Sequence, residues 1–138
     1  PQRVVIDSNT QIRGTWVLEA ILETSTENDI TSDCDLEYAR ITFNLNGGAQ
    51  KQEGKIYNDG NCYEVTYIYD AVFVANRFRM QIFNNDNPNQ GTQEFGYNAF
   101  LKGDKLYMTL ISSGTPGISN NRYIYPTEDQ ETYIYQKQ

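Results

Sequence analysis

Apolar residues recur at every second position along most of this 138-residue chain, which is the spacing of β-strands with one buried face. Short polar runs rich in glycine, asparagine and serine separate the alternating stretches and are typical of turns. The pattern predicts no helix and eight strands, at residues 12–22, 36–46, 49–57, 62–69, 72–83, 92–101, 105–112 and 122–137. Pro126 predicts an interruption of the last strand. We therefore expect one all-β domain covering residues 1–138.

The lengths of the predicted connections favour a barrel. In an up-and-down barrel, successive connections alternate between the two ends. The first, fifth and seventh connections are long, at residues 24–35, 84–91 and 113–121. The second, fourth and sixth are tight, at residues 46–48, 70–71 and 102–104. This alternation predicts an eight-stranded up-and-down antiparallel β-barrel with one end closed by hairpins and an open end bordered by longer loops.

The start of the first strand resembles a known family. Trp16, the only tryptophan, follows Gly14 by two residues, and this Gly-x-Trp strand resembles the lipocalin-like branch of the calycin superfamily, in particular a small bacterial member. The resemblance implies that Trp16 plugs the barrel base and that the last strand ends beside it. Lipocalins stack an arginine from that strand on the tryptophan, and Lys137 occupies the corresponding region here.

The resemblance also implies a function: non-enzymatic binding or transport of a small apolar or amphipathic molecule in the barrel interior, outside the cytoplasm, in a secreted, periplasmic or lipid-anchored protein. Because the chain starts at Pro1, we expect an upstream segment to have been removed. The predicted lining residues are Ile41, Phe43, Tyr63, Val65, Tyr67, Phe78, Met80, Phe95, Tyr97 and Tyr107.

A filled interior is the alternative, because side chains alone can fill a barrel of eight strands. The protein would then be a structural or protein-interaction module that acts through loops 84–91 and 113–121. The four tyrosines among the predicted lining residues favour a cavity, since each buried hydroxyl needs a partner. Both interpretations remain open on the sequence.

The two cysteines fall at the predicted open end. Cys34 lies in the first long connection and Cys62 follows the third. A bridge between them would contribute about 3.5 kcal/mol by restricting the unfolded chain and would indicate an oxidising compartment. Two unpaired buried thiols are the alternative.

Composition excludes several functions. The chain has no histidine, so the commonest general base and metal ligand are missing, and we predict no enzyme activity, no cofactor and no metal ion. Eighteen acidic and 11 basic residues give a net charge of −7 without a basic cluster, which argues against a nucleic-acid partner. No apolar stretch is long enough to span a membrane.

Overall fold

The computed structural model describes residues 2–44, 46–74, 77–82, 92–115 and 121–138. Two short 3-10 turns, Asn9–Gln11 and Thr127–Asp129, lie within these ranges. The helix and strands there are β1 (Arg3–Val5), β2 (Gly14–Glu23), α1 (Asp33–Tyr38), β3 (Arg40–Phe43), β4 (Gly48–Ile56), β5 (Cys62–Val74), β6 (Arg77–Ile82), β7 (Gln93–Lys102), β8 (Lys105–Thr115), β9 (Asn121–Ile124) and β10 (Glu131–Lys137).

The strands form one closed antiparallel sheet. Strands β2 to β8 pair in chain order, and β10 pairs with both β8 and β2, which closes the wall. The predicted fold, an all-β protein with an eight-stranded antiparallel barrel, is confirmed. The eighth position is shared by β9 and β10, which pair with successive parts of β8 and are separated by Pro126. Strand β1, which the sequence did not predict, pairs with the end of β7.

The alternation of connections defines two ends. Strands β3, β5 and β7 end at one end of the barrel, here called the base, where β2 begins and β10 ends. Strands β2, β4, β6 and β8 end at the other end, here called the mouth. Residues 84–91 of the predicted fifth loop lie outside the described residues, as do residues 116–120 of the seventh. Residues 113–115, assigned to that seventh loop, belong to β8.

Large apolar side chains fill the base. Phe43 and Phe78 contact edge to face with ring centroids 5.3 Å apart. Burying each such side chain contributes about 1.5–3 kcal/mol to the free energy of unfolding. This half of the barrel is a packed hydrophobic core. The largest side chains with under 2% of their surface exposed are Phe43, Phe78, Ile6, Ile12, Ile41, Met80, Leu106 and Met108.

Trp16 links the first and last barrel strands at the base. Its indole nitrogen donates a hydrogen bond of 2.8 Å to the carbonyl of Ile12. Lys137 lies opposite Trp16 in the β2–β10 register, with its ammonium nitrogen 4.8 Å from the indole centroid, and donates to the carbonyl of Arg13. Gly14 has a φ of +110°, which favours glycine, and a Cβ there would lie 2.5 Å from Lys137 Nζ, so the lysine side chain would have to move.

The prediction of no helix is wrong, because α1 lies inside the predicted first loop. Ser32 and Asp35 form a reciprocal capping box: each side chain accepts a hydrogen bond of 3.1 Å from the other's backbone nitrogen. Cys34 is the only buried residue of this six-residue helix, so no apolar period marks it in the sequence. The second predicted strand consequently begins at Arg40 instead of residue 36.

Two further predictions about strands are corrected. The predicted turn at residues 70–71 is part of β5, where Asp70 pairs with Gly48 and Gln81 on either side. In β2 the register with β10 shifts near Glu19, because Ile134 opposes Ala20 while Tyr135 opposes Leu18. This bulge turns Ile21 inward in place of Ala20 and Leu22, which the sequence pattern had placed with Trp16.

Cys34 and Cys62 form a disulfide, and it attaches α1 to the mouth. Strand β3 pairs only with residues 49–52 of β4, and α1 contacts the remainder of β4. The approach is close: a Cβ on Gly54 would lie 2.1 Å from the Cys34 carbonyl oxygen. The helix therefore completes the wall where β3 ends.

Replacing both cysteines should test the bridge. The sequence separation of 28 residues predicts that Cys34→Ser with Cys62→Ser lowers the free energy of unfolding by about 3.5 kcal/mol. Urea unfolding measures this difference, and reduced wild-type protein serves as the control, with the same loss expected. A loss below about 1 kcal/mol would show that the bridge does not constrain the unfolded chain.

The contact between Lys137 and Trp16 should stabilise the closed base. Lys137→Met keeps the apolar stem but removes the ammonium, and should lower the free energy of unfolding by about 1 kcal/mol. Lys102→Met, at an exposed base position, is the matched control and should change it by less than about 0.5 kcal/mol. Equal effects of the two variants in urea unfolding would contradict a specific contact.

Candidate functional site: a polar cavity at the mouth

Above the packed base, the inward side chains become polar. Lys51 and Glu53 follow Ala49 at alternate positions of β4 and therefore share its inward face. Their partners across the strand pair are Tyr67 and Val65 of β5. The interior of the mouth half therefore contains charge and hydroxyl groups, while the base half contains mainly hydrocarbon and rings.

The polar side chains surround two adjacent cavities, which we call the two lobes of the mouth cavity because they share part of their lining. The α1 lobe, of about 300 Å³, is lined by Leu18, Ile21, Ile30, Asp35, Ala39, Lys51, Glu53, Glu131, Tyr133 and Tyr135. The β7 lobe, of about 250 Å³, is lined by Lys51, Glu53, Tyr67, Tyr69, Ile82, Gln93, Phe95, Tyr97, Leu110 and Tyr133. Three residues, Lys51, Glu53 and Tyr133, border both lobes.

Lys51 places a positive charge between the lobes. Its side chain is 13% exposed, and its ammonium nitrogen lies 3.8 Å from Glu53 Oε2 and 5.4 Å from the ring centroid of Tyr133. Burial lowers the pKa of Lys51, but the oxygens of Tyr135 and Glu53 outweigh it and raise that pKa above 10.5. Lys51 is therefore an ammonium at neutral pH.

Three buried tyrosines present hydroxyls without partners. Tyr69, Tyr97 and Tyr135 are 4%, 3% and 2% exposed, and the described residues provide no hydrogen-bond partner for their hydroxyls. Burial raises the pKa of Tyr135 to about 12 and shifts the pKa of Tyr69 and Tyr97 upward as well. All three remain protonated at neutral pH and can both donate and accept a hydrogen bond. Water or a ligand in the cavity can satisfy them.

Three carboxylates border the α1 lobe. Asp35 accepts the Ser32 backbone hydrogen bond through Oδ2, and Glu131 accepts one of 3.1 Å from the Tyr133 hydroxyl through Oε2. Burial and, to a smaller degree, the charge of Glu131 raise the pKa of Tyr133. Burial and, after it, the charge of Glu53 raise the pKa of Tyr67. The lobe thus has more negative than positive groups.

Eight of the ten predicted lining residues fall into three groups. Tyr67, Phe95 and Tyr97 line the β7 lobe. Val65 shares the inward face of β5 nearer the mouth and is half-buried. Four others are buried at 0–1% exposure in the packed base, outside both lobes: Ile41, Phe43, Phe78 and Met80.

The remaining two predicted lining residues are placed elsewhere. Tyr107 faces outward and stacks on Phe100 at 4.8 Å. The tight β7–β8 hairpin pairs Leu106 and Met108 with inward residues, so the odd-numbered position between them points away. Tyr63 lies 40% exposed at the mouth, where it packs against Tyr57 and donates to Asp59.

Sequence reasoning missed the charged and C-terminal lining residues. Lys51 and Glu53 lie in the predicted strand 49–57, which is polar, and an even number of positions separates each of them from the buried Ala49 on the same face. Tyr133, Tyr135 and Lys137 are alternate residues of the last strand and therefore lie on the same face of it. Lys137 was predicted to lie beside Trp16 at the barrel base, so the same alternation along the whole strand would have identified both tyrosines as lining residues.

The outer wall has a second cavity of about 300 Å³, which the sequence did not predict. Arg77, Arg79 and Arg122 line it. Glu94 Oε1 accepts a hydrogen bond of 2.6 Å from Arg122 and lies 3.1 Å from Arg79 Nε in an ion pair, so one carboxylate that is 8% exposed contacts two guanidinium groups. This cluster connects β6, β7 and β9 on the outside of the barrel.

The fold and the cavity define a closed eight-stranded antiparallel barrel with a packed base and a polar chamber at the mouth. No protein-family model matches the chain, and no curated protein matches it. Among solved structures, a mutant of the fluorescent protein UnaG is similar, with a TM-score of 0.43 and 8% identity over 94% of this chain and 97% of that chain. In the described part of the chain, no helix has the length and apolarity to cross a membrane.

The buried tyrosines predict a loss of stability at alkaline pH. Their pKa values are raised on folding, so the native state keeps protons that the unfolded chain releases above about pH 10. The free energy of unfolding should therefore fall as the pH rises from about 10 towards 12, the pKa of Tyr135, by up to about 1.4 kcal/mol per pH unit for each tyrosine.

Tyr135→Phe isolates one contribution to this loss. Urea unfolding should give a shallower alkaline slope for the variant, and its comparison with wild type at pH 7 removes the effect of the missing hydroxyl on packing. An unchanged slope would show that Tyr135 ionises equally easily in both states.

Proposed function

We propose that this protein is a non-enzymatic binding protein that holds one small amphipathic molecule in the mouth cavity. The observation that carries the proposal is the set of hydroxyls of Tyr69, Tyr97 and Tyr135, whose side chains line the cavity and which have no hydrogen-bond partner among the described residues. These hydroxyls take their hydrogen-bond partners from the cavity, where a ligand with polar groups can replace water. The lobe volumes of about 300 and 250 Å³ suit a small ligand.

The lining supports an amphipathic ligand over a purely apolar one. Leu18, Ile21 and Ile30 form an apolar wall of the α1 lobe, while Lys51 and the tyrosines contribute its polar groups. The alternative of a filled barrel describes the base well, but the two lobes argue against it at the mouth. The outer arginine cavity is the observation that would favour a surface interaction instead.

The proposal also covers the absence of catalysis and the location of the protein outside the cytoplasm. The lining tyrosines have raised pKa values, which makes them poor general bases at neutral pH and supports a non-enzymatic role. The Cys34–Cys62 bridge supports a secreted, periplasmic or lipid-anchored location. The Gly14-x-Trp16 strand and the Lys137 contact support a lipocalin-like protein, and the net charge of −7 argues against nucleic acid as a partner.

A cavity-filling variant tests this function. Leu110→Trp places a large ring in the β7 lobe and should weaken binding of the neutral fluorescent probe PRODAN by at least about tenfold. Ile68→Trp adds the same ring on the outer face, where Ile68 is 59% exposed, and should leave the affinity unchanged. Fluorescence titration measures both.

Two results would contradict the proposal: wild-type protein that does not bind PRODAN, or a Leu110→Trp variant that binds it as tightly as Ile68→Trp does. Native mass spectrometry of mildly purified protein provides an independent measurement, in which a bound small molecule is expected. Far-ultraviolet circular dichroism verifies that both variants retain the wild-type strand content.

A further inference from the structure

The charges around the α1 lobe do not balance. Asp35, Glu53 and Glu131 contribute three carboxylates, and Lys51 contributes the one ammonium among the described residues that line it. Lys51 lies 3.8 Å from Glu53, which leaves Asp35 and Glu131 without a cationic partner in the described part of the chain. A partly enclosed site with this excess attracts a positive group more strongly than an open surface does, because less water screens it.

The carboxylates of Asp35 and Glu131 each accept one hydrogen bond through one oxygen and can accept more through the other. Asp35 uses Oδ2 for the Ser32 backbone nitrogen, and Glu131 uses Oε2 for the Tyr133 hydroxyl. Among the described residues, neither Asp35 Oδ1 nor Glu131 Oε1 has a hydrogen-bond partner. Each carboxylate is therefore oriented by the protein and keeps one oxygen available to accept a hydrogen bond.

An independent feature of the same lobe also indicates a ligand. The Tyr135 side chain is 2% exposed, lines the lobe, and has no partner for its hydroxyl in the described residues. Hydroxyl oxygens and carboxylate oxygens are groups that accept hydrogen bonds from an organic ammonium ion.

We propose that the ligand carries a protonated amine, which lies in the α1 lobe between Asp35, Glu131 and the Tyr135 hydroxyl. Its apolar part lies against Leu18 and Ile21 of β2, which are the cross-strand neighbours of Tyr135 and Tyr133. This inference rests on the proposed function and adds the chemical class of the ligand. Lys51 opposes the amine, and its pairing with Glu53 limits that repulsion.

Three probes of similar size and different charge test the inference. Phenethylamine is a cation at neutral pH, phenethyl alcohol is neutral and hydrocinnamate is an anion. Isothermal titration calorimetry with wild-type protein should give an affinity for phenethylamine at least about tenfold higher than for hydrocinnamate. The difference should shrink as salt is added, since the cause is electrostatic.

Charge variants give effects of opposite sign. Glu131→Gln keeps an acceptor for the Tyr133 hydroxyl but removes the charge, and should weaken phenethylamine binding about three- to tenfold. Lys51→Gln removes the opposing ammonium and should strengthen it by a similar factor. Glu128→Gln removes one exposed negative charge outside the lobe and should have no effect. Phenethyl alcohol should bind all of these variants equally, which verifies that the cavity is intact.

The outcomes separate the two proposals. Hydrocinnamate or phenethyl alcohol binding wild-type protein as tightly as phenethylamine does would overturn the amine inference and leave the binding function standing. An unchanged phenethylamine affinity in both Glu131→Gln and Lys51→Gln would overturn it as well. If none of the three probes binds and PRODAN does not bind either, the proposed function fails together with the inference.

Discussion

The pairing of β2 with β10 closes the sheet, and the remaining features of the structure depend on that closure. Once the wall is closed, alternate residues of every strand must share one interior. Trp16 and Lys137 are directly opposite each other in this pairing, so the indole and the ammonium that covers it hold the first and last strands together at the base. The register shift near Glu19 then determines which residues of β2 face inward towards the mouth.

The two halves of the barrel interior are filled differently. At the base, aromatic rings and aliphatic side chains pack against one another and are almost fully buried, as for Phe43, Phe78 and Met80. At the mouth, β3 ends early and α1 completes the wall through the disulfide and its close contact with Gly54. The interior beside α1 contains Lys51 and several hydroxyl and carboxyl groups, which cannot pack as densely as hydrocarbon because each requires a hydrogen-bond partner. The cavity lies where the polar residues are.

Much of the fold could be predicted from the sequence, because period-two alternation and connection lengths are local signals. The alternation of tight and long connections identified the barrel and its two ends, and Pro126 marked the division between β9 and β10. The errors occurred where tertiary context decides. The bulge near Glu19 depends on β10, and the outward direction of Tyr107 depends on its register with β7. Helix α1 is too short to show a helical period.

The cavity was harder to predict than the fold. Three of the seven aromatic residues chosen from the sequence, Tyr67, Phe95 and Tyr97, line the β7 lobe. Lys51 and Glu53 were missed because a charged residue in a strand is usually solvated, and only a closed barrel places it inside. Hydrophobic pattern thus identifies the packed base, whereas the polar mouth requires knowledge of register.

Backbone amide NMR during a titration with neutral phenethyl alcohol tests the central claim most directly, because it shows which cavity a small molecule enters. We predict that the perturbed amides belong to the strands that line the two lobes, with Lys51, Tyr133 and Leu18 among the largest shifts. Perturbations confined to Arg77, Arg79 and Arg122 on the outer wall, or none at saturating probe, would contradict a ligand-binding interior.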